Sequence, residues 1–348
     1  MTTLSSEHNT HQAGLAYLEL QDVSVRYGAA RARRKQWHAV RNVSLSVERG
    51  STLGLVGESG SGKSTLGQAI LRRVDVLDGT IVFDGRDITR VSGADLRELR
   101  RSIQPVFQNP VGSLNPRMTI LQNVAEPLLA QGMVKHVREA TDEVASLLDQ
   151  VGLRADMMHR FPHQFSGGQC QRIGIARALA LHPEFIIADE PVSSLDVSIQ
   201  AQIVNLLDDL RRERGSTLLF IAHDLAVVKH IADRVATMYA GEIVEIGSPG
   251  DVFSGPYHPY TDSLLSAIPV PTWPKPTDKR LRSLPGTSPD LSNPPQGCAF
   301  ANRCPYAAKR CFEERPKLRS IDGTRYAACH FAEGLGLAGV GNTPSVNI

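Results

Sequence analysis

The chain has 348 residues, which is enough for two domains or for one domain with a substantial extension. Its hydrophobic content of 41% and charged content of 21% are those of a globular protein with a buried core. The formal net charge of +2 argues against a dedicated nucleic-acid-binding protein. No stretch approaches the roughly 18 apolar residues that cross a bilayer, and residues 1–14 lack the apolar core of a signal peptide, so we expect a cytosolic chain.

Strands and helices alternate along most of the chain, which predicts an α/β fold with a mostly parallel sheet. The first two strands flank a basic segment, Arg31–Lys35, and are expected to pair in an antiparallel sheet. Apolar patterning predicts strands over 17–27, 43–47, 51–56, 80–83, 103–107, 185–189, 217–222 and 235–246. Helices are predicted to begin near Lys63, at Ser92–Asp95, at Thr119, at Ser166 and at Asp224.

The segment from Gly57 to Thr65 carries the clearest chemical signal, because it fits the pattern G-x-x-x-x-G-K-[ST] between a strand and a helix. Its glycines let successive N–H groups point at phosphate oxygens, and the helix that follows presents its positive end to the same anion. Lys63 is predicted to reach the outer phosphates, and Ser64 to place its hydroxyl on Mg²⁺. A Gly/Ser-rich loop without a ligand is the alternative, but the flanking strand and helix favour a nucleoside triphosphate. The predicted binding residues of this loop are Gly57, Glu58, Ser59, Gly60, Ser61, Gly62, Lys63, Ser64 and Thr65.

An acidic pair closes the apolar strand at 185–189. Asp189 emerges at the carboxyl end of that strand, where it can hold Mg²⁺ beside Ser64. Glu190 follows directly and is the best candidate to polarise the attacking water. The alternative is a solvent-facing acidic pair, but the phosphate loop elsewhere in the chain favours the functional interpretation.

A third signal precedes the helix predicted at Ser166. Ser166 is a natural N-cap, and the two glycines after it leave backbone N–H groups uncovered. Along residues 17–268 the motifs come in the order Gly57–Thr65, Gln108, Ser166–Gln169, Asp189 with Glu190, Ser194–Asp196 and His223. This order resembles that of the ATPase subunits of ABC transporters, in which the matching segments are the Walker A loop, the Q-loop, the signature, the Walker B aspartate with the catalytic glutamate, the D-loop and the switch histidine.

The resemblance implies a P-loop NTPase fold: an ABC cassette with a RecA-like core, an antiparallel β subdomain and a helical subdomain. Two such cassettes pair head to tail, so that each ATP lies between one Walker A loop and the signature of the partner. Ser166, Gly168 and Gln169 would therefore grip the γ-phosphate of ATP held by the other subunit. Asp196 would cross the dimer interface.

The resemblance also implies roles for the remaining motif residues. Gln108 would contact Mg²⁺ or the water and report to the membrane subunits. His223 would donate a hydrogen bond to the γ-phosphate, a task that suits a neutral imidazole. Tyr27 is predicted to stack on adenine, although Trp37 and His38 also lie nearby in the sequence.

Four cysteines lie within the 32 residues from Cys298 to Cys329, with Cys304 and Cys311 between them. So small a segment cannot bury enough surface by itself, and a reducing cytosol disfavours disulfides, so we expect a Cys₄ metal site holding zinc or an iron–sulfur cluster. Four unligated thiols are the alternative. The segment resembles the C-terminal extension of oligopeptide/dipeptide-importer ATPases, and Pro256–Thr261 resembles the stretch that joins it to the cassette. Some members with all four cysteines carry a [4Fe–4S] cluster, so the resemblance favours the cluster over zinc.

These observations predict an organisation in five parts. Eight prolines in the 29 positions 269–297 indicate an extended linker. The parts are a disordered N-terminus (1–14), an ABC nucleotide-binding domain (15–268, with its helical subdomain at about 113–165), the Pro-rich linker (269–297), the Cys₄ module (298–333, a small C-terminal extension) and a flexible tail (334–348).

The resemblance implies an ATPase that uses ATP and Mg²⁺ to power oligopeptide or dipeptide import at the cytoplasmic face of a membrane. The implied partners are two membrane permeases, a second homologous ATPase subunit and an extracytoplasmic peptide-binding protein. One alternative is an importer of nickel or another small solute. Another is a soluble ABC ATPase of DNA repair or translation, although such proteins usually carry two cassettes or long coiled coils. A third makes the cysteine module a redox-sensing regulator.

Overall fold

A computed structural model of the chain describes residues 16–28, 36–268, 287 and 289–339. Several predictions fall outside these residues: the disorder of 1–14, the basic segment 31–35, most of the linker 269–297 and the end of the tail 334–348. The remainder folds into two sheets with helices around them.

The described strands are β1 (Ala16–Tyr27), β2 (Trp37–Glu48), β3 (Thr52–Val56), β4 (Asp78–Phe83), β5 (Arg86–Asp87), β6 (Ile103–Val106), β7 (Phe185–Asp189), β8 (Thr217–Ala222), β9 (Arg234–Tyr239), β10 (Glu242–Gly247), β11 (Arg319–Ser320) and β12 (Tyr326–Ala327). The smaller sheet is antiparallel, in the order β2-β1-β4-β5. The larger sheet has the order β11-β12-β10-β9-β3-β8-β7-β6 and is parallel from β9 to β6. An antiparallel subdomain beside a mostly parallel core confirms the predicted fold class.

The described α-helices are α1 (Lys63–Ile70), α2 (Gly93–Ser102), α3 (Pro110–Ser113), α4 (Ile120–Ala130), α5 (Thr141–Gln150), α6 (Gly167–Leu179), α7 (Val197–Arg214), α8 (Leu225–Ile231), α9 (Pro249–Ser254), α10 (Pro259–Ser266) and α11 (Lys309–Glu313). Short 3₁₀ turns span Val137–Ala140, Ala155–His159, Pro162–Gln164 and Ala301–Arg303. Ser92 stands at the N-cap of α2 as predicted, but its side chain makes no capping hydrogen bond. No helix of the described residues is both long enough and apolar enough to cross a membrane.

The central parallel strands β3, β7 and β8 are mostly apolar because both of their faces are covered. Along β8, Leu218 and Phe220 pack into a core shared with the helices of the segment 113–165. The alternate residues Leu219 and Ile221 pack into a second core, shared with α1 and the antiparallel sheet. A strand with two buried faces cannot alternate between apolar and polar residues, which explains the unbroken apolar runs that mark β3, β7 and β8 in the sequence.

The cysteine-bearing C-terminal segment extends the main sheet. Ile246 of β10 pairs with Tyr326 of β12, and the short β11 follows at the sheet edge. The turn between α9 and α10 is held by Glu245 of β10. Its buried carboxylate accepts hydrogen bonds from the backbone N–H groups of Tyr257 (2.7 Å) and His258 (3.0 Å). Burial raises the pKa of Glu245 to about 7. The C-terminal segment is therefore packed against the cassette through strand pairing and a buried anchor.

Candidate functional site: a phosphate loop at the carboxyl edge of the sheet

Four neighbouring parallel strands, β3, β8, β7 and β6, end at the same edge of the larger sheet. In open α/β sheets this carboxyl edge is where ligands bind. The segments that leave these strands carry the predicted motifs: Gly57–Thr65 after β3, Gln108 after β6, Asp189 and Glu190 at the end of β7, and His223 after β8. The fold thus brings together residues that are up to 166 positions apart in sequence, from 57 to 223.

The phosphate loop curls around the amine of Lys63. The side chain is 3% exposed, and its Nζ donates hydrogen bonds to the carbonyl oxygens of Gly57 (2.7 Å) and Glu58 (2.9 Å). Burial lowers the pKa of Lys63, while Glu190 and Asp189 act in the opposite direction. Ser59 and Gly60 form the exposed tip of the loop, Ser61 is buried, and Thr65 is half-buried in the first turn of α1. In this geometry the ammonium lies ready to exchange loop carbonyls for phosphate oxygens.

The two predicted Mg²⁺ ligands are in direct contact. The Oγ of Ser64 donates a 2.8 Å hydrogen bond to Oδ1 of Asp189. Burial raises the pKa of Asp189, and the bond from Ser64 opposes that effect. No group of three or more His, Cys, Asp and Glu side chains in the described residues could hold a metal ion. One carboxylate and one hydroxyl nevertheless fit Mg²⁺, which takes its other ligands from water and substrate phosphates.

Glu190 stands at the centre of the predicted catalytic group. Its Oε2 accepts a 2.8 Å hydrogen bond from Nε2 of Gln108 and lies 3.6 Å from Nδ1 of His223. The backbone of Glu190 has a φ of 46°, a strained conformation for a residue other than glycine. Such strain persists where surrounding contacts hold it, and here the N–H of Glu190 is fixed by the carbonyl of Ile221 at 2.9 Å. The carboxylate is thereby aimed into the site between β7 and β8.

The signature segment lies at the exposed N-terminus of α6. The Oγ of Ser166 accepts a hydrogen bond from the N–H of Gln169 (3.3 Å), and Oε1 of Gln169 accepts one from the N–H of Ser166 (3.0 Å). This reciprocal capping box leaves the N–H groups of the two glycines uncovered. Asp196 of the D-loop is exposed at the N-cap of α7, where its side chain makes no capping bond.

The structure brings two of the three aromatic candidates for adenine together. Tyr27 at the end of β1 pairs with Trp37 at the start of β2, and their ring centroids are 5.2 Å apart. The neighbouring His38 has a buried Nδ1 without a hydrogen-bond partner in the described residues. Strand β2 passes beside the phosphate loop, because a Cβ added at Gly62 would lie 2.3 Å from the carbonyl oxygen of Ala39. The aromatic pair therefore stands at the end of a strand that borders the loop.

Two residues of the loop's surroundings were not predicted as site residues. The hydroxyl of Tyr260 accepts a 2.7 Å hydrogen bond from the N–H of Glu58. The guanidinium of Arg303 binds the carboxylate of Glu58 through two hydrogen bonds, of 2.8 and 3.0 Å. Tyr260 belongs to the segment Pro256–Thr261, which the sequence marks as a join, whereas nothing in the sequence marks Arg303.

The four C-terminal cysteines converge. Cys298, Cys304, Cys311 and Cys329 line one cavity of about 20 Å³. Burial is the main cause that raises the pKa of Cys298 to about 11 and that of Cys304 to about 12. All four are free thiols, as is the buried Cys170 in α6. Four soft donors, of which Cys311 is buried and the other three are partly buried, fit a thiolate-bound metal group in their chemistry, although the side chains as placed form no group that could hold a metal ion.

Comparison with known proteins identifies two family segments. Residues 40–193 match the ABC transporter family, and residues 244–311 match the family "Oligopeptide/dipeptide transporter, C-terminal region". The chain is 48% identical to the oligopeptide transport ATP-binding protein OppF of Salmonella typhimurium over 307 residues, which are 86% of this chain and 92% of that protein. It is 47% identical to YkfD of Bacillus subtilis, described as a putative oligopeptide transport ATP-binding protein, over 91% of this chain and 95% of that one.

Solved structures show the same cassette. The dimeric post-hydrolysis state of the ATP-binding cassette MJ0796, bound to ADP and phosphate, has a TM-score of 0.60 and 31% identity, covering 67% of this chain and 98% of that chain. CbiO1 of Clostridium perfringens, part of the transporter complex cbiONQ, has a TM-score of 0.59 and 29% identity, covering 68% and 90%. These findings confirm the predicted resemblance, and the chain belongs to the family of ABC-transporter ATP-binding subunits that includes the oligopeptide transport proteins.

Proposed function

We propose that the chain is the ATP-hydrolysing subunit that powers the import of oligopeptides or dipeptides through a membrane ABC transporter. The observation that carries this proposal is the contact of Glu190 with Gln108 and its approach to His223, beside the Ser64–Asp189 pair. The peptide cargo is supported by the match of residues 244–311 and by the relatives that transport oligopeptides.

In the proposed mechanism, Glu190 polarises the water that attacks the γ-phosphate. Gln108 holds the carboxylate through its hydrogen bond, and His223 lies beside it, so that the imidazole can turn its N–H to the γ-phosphate as charge develops there. Lys63 leaves the loop carbonyls and neutralises phosphate oxygens. Mg²⁺, held by Ser64 and Asp189, supplies further charge neutralisation on the phosphates when it is bound.

Each ATP would be completed by a second subunit. Ser166, Gly168 and Gln169 lie at an accessible helix N-terminus, which suits the grip on a partner's γ-phosphate. The exposed Asp196 would cross the same interface. Tyr27, whose ring is tilted against that of Trp37, would cover the adenine. We further propose that the partner is a homologous ATPase, which makes the pair a heterodimer at the cytoplasmic face, and that two permeases and an extracytoplasmic peptide-binding protein complete the importer.

The first prediction tests this assignment in the assembled complex. The chain, co-expressed with permease and partner ATPase subunits of this transporter family from the same genome, should purify from membranes as one complex. Reconstituted in vesicles with the cognate binding protein, the complex should hydrolyse ATP faster in the presence of peptide and accumulate labelled peptide. Accumulation of nickel without peptide would instead identify a small-solute importer. Recovery of the chain bound to ribosomes or DNA, without permeases, would contradict the transport function.

We also propose that the four C-terminal cysteines hold a [4Fe–4S] cluster. The convergence of these four thiols on one cavity supports a metal group, because sulfur is a soft ligand that suits zinc and iron–sulfur clusters. The resemblance of the segment to the C-terminal extension of oligopeptide/dipeptide-importer ATPases, of which some members with all four cysteines carry a [4Fe–4S] cluster, is what favours the cluster over a single zinc ion.

The second prediction concerns metal content. The full chain prepared without oxygen should be brown and contain about four irons and four sulfides per chain, as a Cys₄ cluster requires. Cys311→Ala should lose the colour and the iron. Cys170→Ala is the matched control, because Cys170 is a buried thiol in α6 that does not line the cavity, and it should keep both. A colourless protein with stoichiometric zinc, or with no metal, would rule out the cluster.

A further inference from the structure

The loop residue Glu58 is held at two of its three hydrogen-bonding groups by Tyr260 of α10 and by Arg303 of the cysteine-bearing C-terminal segment. Its N–H is bound by Tyr260 and its carboxylate by Arg303, while its carbonyl oxygen accepts from Lys63. Tyr260 is fully buried and Arg303 is 8% exposed, so neither contact is a loose surface pair. The backbone of the phosphate loop is thus fixed partly by residues that are 202 and 245 positions away.

Arg303 is itself fixed by the packing of the cysteine segment. It ends the 3₁₀ turn Ala301–Arg303, directly between Cys298 and Cys304, and it donates a further hydrogen bond to the hydroxyl of Tyr239 at 3.2 Å. Phe300 packs edge-on against Tyr239, with ring centroids 5.3 Å apart, in a small buried cluster that also contains Tyr260. Arg303 therefore contacts the phosphate loop from a segment that is itself held in place by packing against Tyr239.

We propose that Arg303 is a positioning residue for ATP binding, through which the C-terminal segment holds the phosphate loop in its nucleotide-binding conformation. This inference rests on the proposed function, since it assumes that ATP binds at Gly57–Thr65. Two physical effects support it. The bidentate pair fixes the orientation of Glu58, and it cancels a negative charge that would otherwise stand in the loop and repel phosphate.

Loss of Arg303 should weaken ATP binding and leave the chemical step unchanged, and the reason lies in the hydrogen bonds of Lys63. Before ATP arrives, the ammonium of Lys63 holds the carbonyls of Gly57 and Glu58. When it turns to the phosphates, the loop loses that internal support, and Arg303 and Tyr260 keep the loop in shape. Arg303 acts on the loop through Glu58, whereas the catalytic carboxylate of Glu190 is held by Gln108, so the chemical step should be spared.

The third prediction compares ATP affinity in three full-length variants. Arg303→Met should raise the Kd for Mg–ATP about tenfold, a typical size for coupling between sites, and raise KM in the assembled transporter while kcat stays within about twofold. The double variant Glu58→Gln/Arg303→Met should recover much of the affinity, because the carboxylate that would repel phosphate is gone. Arg319→Met is the matched control: Arg319 forms a similar bidentate pair with Glu333 in the same segment, and this variant should bind ATP like the unmodified chain.

The measured Kd values separate a failure of the proposed function from a failure of the role of Arg303. An unmodified chain that binds no Mg–ATP would overturn the proposed function itself. An unmodified chain that binds ATP, together with an Arg303→Met variant of equal Kd, would overturn the role of Arg303. That role is also overturned if the double variant binds no better than Arg303→Met, or if Arg319→Met weakens binding as much. Thermal unfolding without nucleotide identifies any variant that fails to fold, and Arg303→Lys, which keeps the charge but loses the fork, should then show an intermediate Kd.

Discussion

Glu190→Gln is expected to reduce steady-state ATP hydrolysis by the assembled transporter at least ~10²-fold, the lower end of what a positioned general base contributes. Glutamine keeps the shape of the side chain and can still accept the hydrogen bond from Gln108. It cannot take a proton from water or polarise it as a carboxylate does. Binding is therefore retained while the chemical step is lost, so an ATP-closed pair of cassettes should accumulate, as measured by nucleotide occupancy and by size-exclusion chromatography.

Glu184→Gln is the matched control for this change. Glu184 precedes the same strand, β7, at its opposite end, where its carboxylate accepts a hydrogen bond from Tyr17 at 2.6 Å. This variant removes a charge beside the same strand without touching the phosphate site, and hydrolysis should stay within about twofold of the unmodified rate because surface pairs contribute little. Near-normal turnover of Glu190→Gln would dismiss Glu190 as the catalytic residue, and equal losses in both variants would point to a structural cause.

The grouping of the candidate site residues at the carboxyl edge of the sheet was predictable from the sequence because each of its parts has a local signal. The apolar runs of β3, β7 and β8 stop at charged or glycine-rich residues, and parallel strands end at one edge. Together with the phosphate-loop motif, whose Ser64 is expected to share Mg²⁺ with a strand-end carboxylate, these facts place Asp189 beside Ser64. Ser166 could likewise be predicted as a cap, since Gln169 stands three residues later.

The surroundings of Glu58 could not be predicted in the same way. Tyr260 and Arg303 reach the loop over 202 and 245 positions, and a contact of this kind leaves no periodic trace in the sequence. The Pro-rich linker suggested a separate module, whereas the pairing of Tyr326 with Ile246 extends the cassette sheet. Strands of two residues, such as β12, carry no readable alternation. The strain at Glu190 was equally hidden, because an αL backbone there is imposed by tertiary contacts.

Two glycines of the phosphate loop can be compared to test how closely the loop packs against strand β2. Gly60 and Gly62 both have a positive φ, of 79° and 105°, so alanine strains the backbone at either position. Their surroundings differ. A Cβ at Gly60 would have no neighbour within 4 Å, whereas a Cβ at Gly62 would lie 2.3 Å from the carbonyl oxygen of Ala39 and 2.8 Å from Cε of Met238.

Gly62→Ala should therefore lower the free energy of unfolding by about 3 kcal/mol, the sum of backbone strain and overpacking. Gly60→Ala should lower it by about 1 kcal/mol, from strain alone.

Because Gly62 also leads directly into Lys63, relief of the clash must push the loop away from β2 or rotate the first turn of α1. Mg–ATP binding by Gly62→Ala is then expected to weaken at least ~10²-fold, since misplacing the loop removes backbone and Lys63 contacts together. Denaturant unfolding and calorimetric titration of the two variants measure both effects. Equal stability losses in the two variants would show that β2 yields to the added methyl group, and that the contact between Gly62 and Ala39 does not hold the loop in place.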